Sequence, residues 1–210
     1  MKPANGSVTS GGKPRQGLRL RLALNGAVMS QWATSNSDGK YDIGVPYAKY
    51  RIDGYELDSS IANTLLAGKT DGPRDELLSM RETIVVVAQG KAGRGPDLAF
   101  VDPVRKKGPF GDISLAQPVV VSWEAYPNAV AYRLQLVEQK NPRDYSTQRH
   151  LFDWQQRPIV SGTSANLVEY GAVLKKGYHY TVQIEALDER NQKLSEAPRT
   201  IHKADFRVEE

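Results

Sequence analysis

A chain of 210 residues, 40% apolar and 25% charged with a formal net charge of +4, has room for one large domain or two of about 100 residues, and its composition excludes wholesale disorder. The absence of cysteine excludes disulfides, thiolate metal sites and cysteine nucleophiles. No apolar run approaches the roughly 18 residues of a membrane span; the longest, Ile84-Val85-Val86-Val87-Ala88, is strand-sized. The opening "MKPANGSVTSGG" has no hydrophobic region and does not read as a signal peptide. That leaves a cytoplasmic protein, or a mature chain whose leader or anchor has been removed.

The first half reads as strands. Leu18, Leu20, Leu22 and Leu24 alternate with Arg19, Arg21 and Ala23, a period of two that puts leucines on one face and arginines in water. Further strands are expected over Val28–Thr34, Tyr41–Val45, Lys49–Leu57, Thr83–Gln89 and Asp97–Val101. In "SNSDGKYD", oxygen-bearing side chains crowd Gly39. With Gly39 as the sixth position of a calcium loop, Thr34 falls first and Val45 twelfth, so both key carboxylates are missing. Asp-Gly between two β runs predicts a tight hairpin turn instead. Residues 58–80 are too polar and broken for a strand and read as a crossover with a little helix around Ile61, Leu65 and Leu66. The glycines of "GKAGRGP" match no phosphate-binding fingerprint and read as a hairpin loop.

The stretch "VDPVRKKGPFGD" interrupts the pattern with two prolines, two glycines and a basic triplet, so residues 102–111 are expected to link a domain of residues 1–101 to one of residues 112–210. Beyond it Val119, Val121 and Trp123 alternate, as do Tyr132, Leu134 and Leu136. In the clearest half-buried strand, Tyr180, Val182, Ile184 and Ala186 alternate with Thr181, Gln183 and Glu185. "HLFDWQQ", "PIVSGTSANLVEY" and "HKADFRVE" read as further strand-bearing segments. The fold class is therefore all-β, two tandem antiparallel β-sandwiches.

Particular residues sharpen this. Gly12-Lys13-Pro14, Asp38-Gly39-Lys40-Tyr41, Pro46, Tyr50, Ile52 and Gly54-Tyr55 occupy the marked positions of a pattern that resembles the carboxypeptidase regulatory-like domain, a small prealbumin-like (transthyretin-like) sandwich. The match is good over residues 6–57 and thin over 58–101, where "GPDLAFVD" is similar to the closing strand. Trp123, Pro127, Ala129 and Tyr132, then Leu174, Gly177, Tyr180, Val182 and Ala186, make the second domain resemble a fibronectin type III module, an immunoglobulin-like sandwich. The resemblance implies core roles for Tyr41 and Tyr50, and for Tyr180 a hydroxyl that locks the chain. It departs from the family over residues 139–166, which are longer and more aromatic than the usual connection.

No catalytic constellation emerges. "SGTSAN" lacks the second glycine of a nucleophile elbow. His150, His179 and His202 have no local metal-ligand spacing, and His179 faces away from the apolar side of its strand, as a surface residue does. Asp188-Glu189 and Glu209-Glu210 fall in a turn and a tail. No metal and no cofactor is expected. One stretch has the character of a binding surface: "NPRDYSTQRHLFDWQQRP" gathers Arg143, Tyr145, Arg149 and Trp154, with His150 and Arg157 interleaved. Aromatics among guanidinium groups and amides stack on sugar rings or bases, or anchor protein interfaces. The competing and favoured reading is that Phe152 and Trp154 alternate into the core.

These features point to a non-enzyme: an extracytoplasmic binding, adhesion or spacer pair of a bacterial envelope protein, with protein or carbohydrate as partner. The charge is too low and too evenly spread for nucleic acid. The alternative is an accessory region of a secreted hydrolase whose catalytic part lies elsewhere.

Overall fold

The alternation over residues 18–24 has the consequence its period demands: the four leucines are buried while Arg19 and Arg21 face outward. The structure, a computed structural model, describes residues 2–28, 30–74, 84–89, 91–198 and 203–209. The chain is all-β and divides into two units, Met1–Asp102 and Pro103–Glu210, each with its own hydrophobic core.

The first unit contains β1 (Lys2–Ser10), β2 (Lys13–Pro14), β3 (Arg19–Leu24), β4 (Ala27–Val28), β5 (Ala33–Thr34), β6 (Lys40–Val45), β7 (Ala48–Leu57), β8 (Thr70–Arg74), β9 (Ile84–Val87), β10 (Gly93–Arg94) and β11 (Leu98–Val101). One sheet runs β10–β1–β11–β8, with β2 and β6 also on β1; the other runs β4–β3–β7–β9, with β5 also on β3. All these pairs are antiparallel except β1 with β10 and with β11. Tyr41, Tyr50 and the β3 leucines lie in the core between the sheets, and the Tyr41 hydroxyl donates to the Pro96 carbonyl at 2.6 Å.

The loop around Gly39 is a turn. Asn36 Oδ1 accepts from the backbone N–H of Asp38 (3.0 Å) and of Lys40 (2.9 Å). Gly39 sits at φ +70°, and a Cβ there would lie 2.4 Å from the Val8 carbonyl oxygen, so both the backbone angle and the close approach require glycine.

Three expectations change here. The single strand over Val28–Thr34 is broken into β4 and β5, because the Ser30 hydroxyl takes the Leu22 N–H (2.6 Å) in place of a backbone carbonyl. Residues 58–80 hold the predicted short helix, α1 (Ser59–Leu65), capped by Asp58. They also hold β8, which pairs with β11 despite its polarity because it is an edge strand, where Pro73 is tolerated; residues 75–80 lie outside the described ones. The "GKAGRGP" loop closes through Lys91 N–H to the Ala88 carbonyl (3.0 Å) and then supplies β10 to pair with Ala4 and Asn5.

The second unit contains β12 (Lys106–Gly108), β13 (Gly111–Ile113), β14 (Val120–Trp123), β15 (Ala131–Gln139), β16 (Arg149–His150), β17 (Ile159–Val160), β18 (Ser164–Asn166), β19 (His179–Leu187), β20 (Lys193–Glu196) and β21 (Phe206–Val208). Its small sheet runs β12–β14–β18. Its large sheet runs β13–β21–β19–β15–β16, with β17 also on β15 and β20 also on β19. Trp123, Tyr132, Leu134, Leu136, Tyr180, Val182, Ile184 and Phe206 form the core between them.

The segment read as a connector is not free chain: residues 106–108 form β12 against Trp123 and Ser122, and Gly111 opens β13 against Phe206. Lys106 is the reason, since its ammonium is held inside the unit by Asp205 and the Val182 carbonyl. That contact also repairs the sheet. Among the described residues no strand pairs with β19 at Val182, between β20 and β21; there Asp205 Oδ2 accepts the Val182 N–H (2.7 Å) and Lys106 Nζ donates to its carbonyl (3.2 Å). Two side chains thus make the bonds a strand peptide would make.

Candidate functional site

β15 is the base of the site. On one side all nine of its residues pair with β19. On the other, among the described residues, it has only β16, opposite Val137 and Glu138, and β17, opposite Tyr132 and Arg133. Residues 151–158 leave the ladder between them, tied by Leu151 N–H to the Leu136 carbonyl (2.8 Å) and Leu134 N–H to the Pro158 carbonyl (2.9 Å).

The opening this creates is closed by Gln135, which is fully buried. Its Oε1 accepts the N–H groups of Leu136 (3.0 Å) and Phe152 (3.1 Å), and its Nε2 donates to the Phe152 carbonyl (2.9 Å). The side-chain amide thus stands in for a strand peptide. Phe152 turns into the core. Trp154 does not: it is 56% exposed, so the expectation that both alternate inward fails for Trp154. No strand runs through these residues to impose a period of two. A turn does, made by Asp153, whose Oδ1 accepts the Gln155 N–H at 2.8 Å and whose carbonyl accepts the Gln156 N–H at 3.1 Å.

The exposed indole is held from several directions. His150 stacks on it with ring centroids 5.3 Å apart at 30°, and the Arg157 guanidinium lies 4.4 Å from its centroid. Arg157 also donates through Nε to the Trp154 carbonyl (3.3 Å) and pairs with Glu185 (3.1 Å). Glu185 in turn pairs with Arg133, its cross-strand neighbour, at 3.0 Å. A chain of contacts thus runs from the outer face of the sheet to the indole.

Arg149 points to a second cluster. Buried Glu138 accepts from the Tyr180 hydroxyl (3.0 Å) and pairs with Lys175 (2.8 Å) and with Arg149 Nε (3.3 Å). The Tyr180 oxygen also accepts the Lys175 backbone N–H at 2.7 Å. Burial, reinforced by the Glu138 carboxylate, pushes the Tyr180 phenol far above the ordinary tyrosine range.

Arg143 and Tyr145 stand on the preceding turn, both exposed. That turn is shaped by Asn141 Oδ1 accepting the Arg143 N–H (3.0 Å) and Asp144 Oδ1 accepting the Ser146 N–H (3.0 Å). Of the four residues singled out from sequence, the structure places Trp154 at the stack, Arg149 on the neighbouring carboxylate, and Arg143 and Tyr145 on the adjoining turn. Sequence reasoning missed Glu185, Arg133, Glu138 and Lys175. The alternation in each strand put Arg133 and Glu185 on outer faces; only the register made them opposite one another. His179, expected at the surface, is half-buried with Nδ1 enclosed. His202 lies outside the described residues.

Elsewhere in this unit a cleft of about 560 Å³ is lined by Leu115, Pro118, Val119, Val168, Val173 and Leu174 among others, with no charged residue in its wall.

No protein-family model matches the chain, and no curated protein matches it. It is similar to a solved structure of a DUF3823 family protein from Bacteroides ovatus, at 10% identity over 93% of this chain and 95% of that one, with a TM-score of 0.27. It is also similar to a DUF3823 family protein from Parabacteroides merdae, at 14% identity over 94% and 98%, with a TM-score of 0.26.

Proposed function

We propose that this chain is a non-catalytic pair of β-sandwich modules that works outside the cytoplasm, in a bacterial envelope, and engages a protein or carbohydrate through residues 143–157. The observation that carries the proposal is Trp154. A large aromatic left in solvent forgoes the burial that would favour it in the core, yet this one is held in place by His150, Arg157 and the Glu185–Arg133 pair behind them. Pre-organised aromatic anchors bind because little side-chain entropy remains to be lost.

Support for reading the second unit as fibronectin type III-like comes from Tyr180, whose hydroxyl accepts a backbone N–H five residues upstream. Support for reading the first as carboxypeptidase regulatory-like comes from the Gly39 turn and the buried Tyr41 and Tyr50.

The test is capture from an envelope extract by the immobilised chain, compared with a Tyr145→Ala/Trp154→Ala double variant whose circular dichroism matches the parent. A saturable partner retained by the parent and lost by the variant supports the proposal. Identical capture by both removes residues 143–157 as the binding surface.

A further inference from the structure

We propose that the free edge of β18, together with the apolar cleft on which it ends, takes an extended segment of a partner protein. The segment adds a strand to the small sheet and places an apolar side chain in the cleft. This surface shares no residue with the segment 143–157, and two independent observations carry it.

The first is in the backbone. β18 closes one side of the small sheet. Ala165 pairs with Val121, the Trp123 N–H donates to the Thr163 carbonyl (3.0 Å) and the Leu167 N–H to the Val119 carbonyl (3.1 Å). Bonding toward β14 thus falls to residues 163, 165 and 167, and in an antiparallel ladder the residues between them direct their groups the other way. The N–H and carbonyl of Ser164 and the N–H of Asn166 point off the sheet, and among the described residues nothing bonds to them. Exposed edges are ordinarily guarded by charge or proline. β12, on the opposite edge of this sheet, carries Lys107, and β16 carries Arg149. Residues 161–168, "SGTSANLV", carry neither.

The second is apolar surface. Asn166, the last residue of β18, lines the cleft of about 560 Å³, and Val168, two residues on, belongs to the same wall. Val168 and Val173 are 56% and 70% exposed, apolar surface that a partner would bury. The volume falls in the range of ligand-binding clefts, ~300–1,000 Å³, and no charged residue lines it, so the group it takes is apolar.

The available area selects the occupant. A stable interface between two folded copies engages about 20–30 residues a side, whereas the cleft offers ten, one of them in a strand of three. Antiparallel pairing of β18 with its copy would also bring the polar Ser161–Ser164 end of one strand to the cleft of the other. A single extended segment meets both demands: its backbone pairs with Ser164 and Asn166 while a side chain beyond them enters the cleft.

The experiment measures binding of the full chain to a capped, fluorescein-labelled octapeptide of alternating threonine and leucine by fluorescence anisotropy. The same peptide with lysine in place of leucine, and the same peptide fully N-methylated, are the comparison probes. Expected are saturable binding that changes little between 50 mM and 300 mM NaCl, because no charge is matched, and binding about tenfold weaker or more for each comparison probe. Val173→Asp should weaken binding about tenfold. Ser164→Pro removes only an outward N–H at an edge position where proline is tolerated, and should weaken it about fivefold; circular dichroism matching the parent shows that both variants fold. No saturable binding, equal binding of either comparison probe, or binding that neither variant weakens overturns the proposal. A concentration-dependent dimer in analytical ultracentrifugation that Val173→Asp abolishes also overturns it, giving the surface to a second copy. Neither variant touches residues 143–157, so envelope capture judges that segment separately.

Discussion

Replacing Gln135 by leucine isolates the device that shapes the site. The substitution keeps the side chain's approximate volume and removes one donor and one acceptor. Three backbone groups then lose partners: the N–H of Leu136 and both the N–H and the carbonyl of Phe152. Each hydrogen bond contributes about 1 kcal/mol net, and a buried group left unpaired costs about 1–3 kcal/mol. Because these groups sit near a sheet edge, where water reaches in after modest fraying, the expected loss is about 3 kcal/mol. Trp32, Trp123 and Trp154 are the chain's three tryptophans, and only Trp32 lies in the first unit. In a Trp32→Phe background, urea unfolding followed by fluorescence therefore reports the second unit alone. Trypsin cleavage after Arg149 reports the segment itself and should accelerate in Gln135→Leu under native conditions. A loss below about 0.5 kcal/mol together with unchanged cleavage would refute the view that this side chain replaces a strand peptide.

Lys106→Met should cost the second unit about 3–5 kcal/mol, since it leaves Asp205 as an uncompensated and mostly buried charge; pairing it with Asp205→Asn should recover part of the loss, measured by the same urea titration. Gly39→Ala should destabilise the first unit by about 2–4 kcal/mol, because a Cβ would meet the Val8 carbonyl at 2.4 Å from a φ of +70°; thermal melting that leaves the first unit unmoved would contradict the turn geometry. The phenol of Tyr180 is raised on folding, so the unfolded chain ionises first. The stabilisation is complete below the ordinary tyrosine range, near pH 10, and is lost as pH rises from there toward the folded value. Tyr180→Phe should flatten that alkaline decline while lowering stability at pH 7 by about 1–3 kcal/mol for the hydroxyl's lost partners.

Much of this architecture was legible without coordinates. The leucines of β3, the Val121/Trp123 pair of β14 and the even positions of β19 are buried as their period of two requires, because a strand has only two faces and one must face the core. The Asn36–Gly39 turn followed from local chemistry alone, since the positive φ and the Asn side-chain bonds involve residues within four positions of each other. What alternation could not show is where a strand stops pairing. β12, the interruption after β16 and the outward turn of Trp154 depend on which backbone groups find partners across the sheet, and those partners are distant in sequence.

The candidate site belongs to that second category. Arg143, Tyr145, Arg149 and Trp154 were visible as a cluster of residue types, but Arg133 meets Glu185, and Glu138 meets Lys175, across separations of 52 and 37 residues. Local sequence determined the strands, the turns and the composition of the loop. Tertiary register decided which charges share a carboxylate, and side chains such as Gln135 and Asp205 decided how an interrupted sheet keeps its polar groups paired, because a buried peptide accepts any partner of the right geometry regardless of where in the chain it originates.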